Sequence, residues 1–151
     1  MINRRSVLKA VFTGGLVAGL GVLMPRIAMA AWSKAAFEAE TQEMAMGALY
    51  EANPSASAEV TLKAPDIAEN GAVVPISVKS SLSGVTSIAI LVAGNPLPLA
   101  AQFTIPEGTL ANVSCRIRMG KTSNVTAVVT TASGAFSASK EVKVTIGGCG
   151  G

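Results

Sequence analysis

At 151 residues, with 50% apolar and 14% charged side chains, the chain has room for one folded domain and a composition ordinary for one. The formal charge of +3 does not mark a nucleic-acid binder: Arg4, Arg5, Lys9 and Arg26 all precede the first acid, Glu38, and after Ala30 eight basic residues face nine acidic ones. The sequence contains no histidine, which excludes a His-assisted nucleophile, most zinc sites and a His-ligated haem, and its two isolated cysteines form neither a Cys-x-x-Cys pair nor an iron-sulfur ligand set.

Residues 1–30 read as an export signal. Arg4 and Arg5 give a basic start, Ala10 to Met24 is uncharged and apolar, and Ala28-Met29-Ala30 supplies the small residues a signal peptidase needs, so that cleavage is expected between Ala30 and Ala31. The apolar run is fifteen residues long and holds four glycines. It falls short of the ~20 residues that span a bilayer, so no stable membrane anchor is expected. The string Asn3-Arg4-Arg5-Ser6-Val7-Leu8-Lys9 resembles the twin-arginine export motif, with Val7 where phenylalanine is commoner. That resemblance implies a periplasmic destination and transport in the folded state, with a cofactor or a bound partner. Nothing after residue 31 has the look of a cofactor site, and none is expected.

From Trp32 to Tyr50, apolar Trp32, Ala36, Phe37, Met44, Ala48 and Leu49 alternate with Glu38, Glu40 and Glu43 at helical spacing, which predicts one short amphipathic helix. Asn53-Pro54-Ser55 punctuates the chain, and beyond it the composition turns to Val, Ile, Thr and Ser in short runs. Strands are predicted at Glu59 to Lys63, Ala72 to Lys79, Val85 to Val92, Leu99 to Phe103, Ala111 to Met119, Ser123 to Thr131 and Ala135 to Thr145. Alternation such as Val74, Ile76, Val78 or Val113, Cys115, Ile117 turns one face inward. Seven short strands with turns at Glu69-Asn70-Gly71, Ser83-Gly84, Gly94-Asn95-Pro96 and Ser133-Gly134 predict an all-β, immunoglobulin-like sandwich. The expected organisation is a signal over 1–30, a helix within 31–53, the sandwich over 54–146 and a flexible arm over 147–151.

That arm reads Gly147-Gly148-Cys149-Gly150-Gly151. Glycine lacks a Cβ and tolerates φ of either sign, so the thiol of Cys149 sits on a thin backbone with no neighbouring side chain. A cysteine needed for packing gains nothing there, since the glycines forfeit the burial that suits cysteine to a core. A thiol that must enter several closed sites in turn gains a great deal, because no flanking side chain has to fit every pocket. Local activating cations are lacking, so activation is expected from a partner's basic pocket. Exposure also lets two such tails join as an intermolecular disulfide. Cys115 shares parity with the apolar residues of its strand and is expected to be a buried, inert thiol; a disulfide with Cys149 stays open as the alternative. Arg116 and Arg118 are expected on the solvent face, with Lys121 nearby, and Asp66 in a solvated loop.

The Gly-Gly-Cys-Gly-Gly terminus, the twin-arginine leader, the short helix and the all-β body together resemble the SoxY family, the sulfur-carrier subunit of bacterial thiosulfate oxidation. The resemblance implies that Cys149 takes thiosulfate oxidatively as an S-thiosulfonate, loses sulfate by hydrolysis, and is regenerated when the remaining sulfane sulfur is oxidised or transferred. It implies a heterodimer with a SoxZ-like subunit, and visits to a c-type cytochrome of the SoxAX type, a SoxB-like sulfate thiohydrolase and, in systems that have one, a SoxCD-like sulfur dehydrogenase. The chain itself is then a carrier rather than an enzyme. A structural or interaction sandwich with a redox-sensitive cysteine tail is the competing reading, because the sandwich shape by itself says nothing about function. A third, a C-terminal Gly-Gly thiocarboxylate donor, fits poorly with export and with a cysteine inside the motif.

Overall fold

The computed structural model describes residues 33–145. Cys149, the arm glycines Gly147, Gly148, Gly150 and Gly151, the leader arginines Arg4 and Arg5, and the cleavage pair Ala30 and Ala31 lie outside them.

Two short helices open the described chain, α1 over Lys34–Phe37 and α2 over Gln42–Leu49. The sequence predicts a single helix here, and the break has a local cause. Thr41 is extended at φ −125° and ψ 154°, and its Oγ1 accepts the Met44 amide at 3.2 Å, starting a fresh helix with Glu43 in its first turn. Ala36, Ala39 and Ala45 are thereby all buried against the sheet beneath, where small side chains allow close approach.

Nine strands follow: β1 (Ser55–Ala56), β2 (Val60–Lys63), β3 (Ile67–Ala68), β4 (Val74–Ser80), β5 (Val85–Val92), β6 (Leu99–Thr104), β7 (Asn112–Ile117), β8 (Ser123–Thr131) and β9 (Gly134–Val144). The first sheet runs β1-β9-β8-β5-β6, with β3 also on β9; the second runs β2-β4-β7. Together they form the immunoglobulin-like sandwich. The seven predicted strands are all present, two of them, β5 and β8, with the predicted ends. The sequence reading missed β1 and β3, each two residues long and each parallel to β9. Pairs that short carry no periodicity of their own, and β9 alone makes them strands.

Between the sheets lie Val74, Ile76 and Val78 of β4, Ile88, Ile90 and Val92 of β5, Val125, Ala127 and Val129 of β8, and Val142 of β9. Burying each branched side chain contributes about 1.5–3 kcal/mol. A second cluster lies on the other face of the first sheet, where Ala89, Leu91, Leu99 and Val128 meet the helices. This explains why Ile88 to Val92 and Val125 to Val129 read as continuous buried runs: both faces of β5 and β8 are covered. By contrast β2, β4 and β7 alternate, because the second sheet shows its outer face to solvent.

Candidate functional site at the root of the C-terminal arm

The site that the sequence singles out follows β9 in the sequence, and β9 is held on both sides to its last residue. Along one edge it pairs with β8 from Gly134 to Val142. Along the other, β1 pairs with Phe136 and Ser137, and β3 pairs with Lys143 and Val144. The Lys143 amide donates to the Asp66 carbonyl at 3.0 Å and the Thr145 amide to the Ala68 carbonyl at 3.1 Å. On the opposite edge the Val144 amide donates to Thr122 Oγ1 at 2.9 Å. The described chain is thus held on both edges up to Thr145, which precedes Cys149 by four positions in the sequence.

The loops around this root are tied together. Asn95 Nδ2 donates to the Arg118 carbonyl at 2.7 Å, and Asn95 Oδ1 accepts the Gly120 amide at 3.1 Å. The Met119 amide donates to the Gly71 carbonyl at 2.7 Å. Gly71 is needed for space: a Cβ there would come within 2.8 Å of Val144 Cγ1 and collide with the Met119 carbonyl oxygen. Lys140 donates to the Ala64 carbonyl at 2.6 Å and pairs with Asp66 at 2.9 Å, tying the approach to β3 onto β9. Asp66 is thus exposed, as expected from its loop, yet paired. The sequence reading missed the β3 strap and Thr122; the Asn70-Gly71 and Asn95 turns were legible, but nothing in them showed that they meet at the root.

Cys115 is a free thiol on β7, opposite Ile76 on β4. It faces the inter-sheet core but is only half-buried, less than its parity predicts, because β7 is the outermost strand of its sheet. Burial pushes its pKa up, which keeps the thiol protonated and sluggish. Arg116, Arg118 and Lys121 are exposed, as the sequence reading places them. Among the described residues no group of three His, Cys, Asp or Glu side chains could hold a metal ion, and no helix is long and apolar enough to cross a membrane.

A two-sheet sandwich whose last strand is held on both edges up to Thr145 defines a small all-β scaffold. Residues 46–149 match the family model described as sulfur oxidation protein SoxY. The structure is similar to that of the sulfur carrier protein SoxY from Chlorobium limicola f. thiosulfatophilum, at 40% sequence identity and a TM-score of 0.62, over 69% of this chain and 96% of that one. The chain belongs to the SoxY family, the sulfur carriers of sulfur oxidation. A superoxide reductase (neelaredoxin) from Ignicoccus hospitalis, 18% identical with a TM-score of 0.52 over 70% of this chain and 93% of that one, shares the fold alone. No curated protein matches the chain.

Proposed function

We propose that this chain works in the periplasm, exported by the twin-arginine route, and carries sulfur covalently on Cys149 during thiosulfate oxidation. The observation that carries the reading is the clamped end of β9 at Thr145, with a lone thiol four residues further along a glycine-rich chain in a family of sulfur carriers. Tethering replaces repeated capture of a small anion by one substrate held at high effective concentration.

In the loading step the thiol sulfur of Cys149 bonds to the outer sulfur of thiosulfate. One proton is released and two electrons pass to a c-type cytochrome of the SoxAX type, leaving an S-thiosulfonate. Water then cleaves the bond to the sulfonate group in a SoxB-like thiohydrolase, giving sulfate and a persulfide on Cys149. The persulfide sulfur is either handed to another acceptor, which regenerates the thiol directly, or oxidised by a SoxCD-like dehydrogenase that withdraws six electrons while three waters supply oxygen, leaving a sulfonate on the Cys149 sulfur that water hydrolyses to sulfate and the thiol. A SoxZ-like subunit accompanies the chain as a heterodimer. The chain's own contribution is to hold, display and move the sulfur, and no residue of the described body stands as a catalytic group for these steps.

Intact mass measurement after incubation with thiosulfate and the cognate cytochrome tests the reading. A thiosulfonate adduct mapped to Cys149, absent from Cys149→Ser, is expected. An adduct on Cys115, or turnover that survives Cys149→Ser, would overturn it.

A further inference from the structure

The ionisable residues of the described body are sorted by face. On the helical side of the first sheet stand Glu38, Glu40, Glu43 and Glu51, all exposed, with Lys34 paired to Glu38 at 3.6 Å. The outer face of the second sheet is the reverse. Strands β2, β4 and β7 contain no acid, and their exposed positions include Lys63, Lys79 and Arg116, with Arg118 just beyond β7. Register makes these one surface: Lys79 lies between Thr61 and Asn112, Ser77 between Lys63 and Ser114, and Pro75 opposite Arg116. Ser77 and Ser114 share a hydrogen bond of 2.8 Å across its middle. None of these four cations forms an ion pair among the described residues, where the two bridges are Lys34 with Glu38 and Lys140 with Asp66. Glu59 marks the rim at the start of β2, away from Arg118.

The chain after Ala30 carries eight cations and nine acids, so this face is not the overflow of a basic protein. Like charges left unpaired on a flat sheet repel one another, and they gain when an opposite charge is brought to them. The face also leads to the arm: Arg118 and Lys121 flank Met119, whose amide is bonded to Gly71 beside Val144.

We infer that the outer face of the second sheet, through Lys63, Lys79, Arg116 and Arg118, is the surface on which the carrier docks an acidic protein surface bordering a partner enzyme's catalytic entrance. The inference rests on the carrier reading and adds the orientation of the encounter. A partner seated there covers the Arg118 end of the face, next to the Met119 and Gly71 loops that pack on Val144. The acidic docking rim is distinct from the pocket that receives the thiol. A second copy of this chain offering its acidic helical side is the other complementary surface, but that contact joins opposite faces and would repeat head to tail into open chains.

The test uses the mature full-length chain with its natural partner subunit and, as probe, the purified cognate cytochrome with thiosulfate, at low and high ionic strength. Lys79→Glu combined with Arg116→Glu should lower kcat/KM for the carrier by about tenfold or more at low salt, with the difference shrinking as salt screens the encounter. Alkylation of Cys149 by iodoacetamide and the melting temperature should stay at parental values. The Cys149→Ala chain should inhibit turnover of the parent competitively, and should cease to do so once Lys79 and Arg116 are reversed. Equal salt dependence of parent and variant would overturn the inference, as would salt-sensitive chains of the parent in sedimentation, which assign the face to a second copy. Loss of the difference on adding sulfate at constant ionic strength would overturn it too, assigning the face to a small anion. Failure of the carrier reading shows separately, as turnover that persists in Cys149→Ala.

Discussion

Gly71 and Val144 touch across the root of the arm, with no room for even one added carbon: a Cβ on Gly71 would stand 2.8 Å from Val144 Cγ1. Gly71 has no positive φ, so space alone dictates the glycine. Gly71→Ala must push Val144 or the Met119 carbonyl aside, and should cost about 1–3 kcal/mol in urea unfolding. Because Val144 is next to Thr145, the variant should also speed amide exchange at Thr145, which is bonded to the Ala68 carbonyl. Unchanged stability and exchange would show that the root is not packed in this way.

Thr41 separates the two helices by capping the second. Thr41→Ala removes the acceptor for the Met44 amide and should destabilise the protein by about 1 kcal/mol, while Thr41→Ser should recover most of the loss. Denaturant midpoints of the three proteins check this.

Alkaline pH should erode stability through Tyr50. Burial pushes its hydroxyl up from 10.0 to about 12, with the neighbouring Thr130 hydroxyl pulling weakly the other way. Neither oxygen completes a well-formed hydrogen bond. Above pH 10 the unfolded chain loses this proton while the folded chain keeps it, so unfolding gains and stability falls until about pH 12. Cys115, also raised by burial, adds a slope of the same sign above its ordinary value of 9.0. Melting temperature against pH should fall less steeply in Tyr50→Phe than in the parent.

Export is tested by Arg4→Lys combined with Arg5→Lys, which should leave the precursor uncleaved in the cytoplasm. The parental periplasmic protein should begin at Ala31 on N-terminal sequencing. A processed periplasmic double variant would assign export to another route.

Much of the body was legible because its signals are local. Alternation at Val74, Ile76 and Val78 and the β-branched runs of β5 and β8 locate strands wherever they fall in space, and Ser133-Gly134 marks the hairpin between β8 and β9, where Gly134 has φ +139°. The Gly-Gly-Cys-Gly-Gly string needs no partner to be noticed, and it lies outside the described residues. The single helix was misjudged because its apolar spacing continues across Thr41, while the cap that breaks it depends on one hydroxyl reaching one amide.

By itself, then, the sequence determined an all-β body, because composition and period act over a few residues at a time. Tertiary structure alone decided that the end of β9 is held on this edge, since β3 becomes a strand only by lying on Lys143 and Val144, more than seventy residues away in sequence. It also decided that Lys63, Lys79 and Arg116, scattered along the chain, share one acid-free face. Pairing between distant strands fixes which side chains become neighbours, and no window of sequence contains both partners.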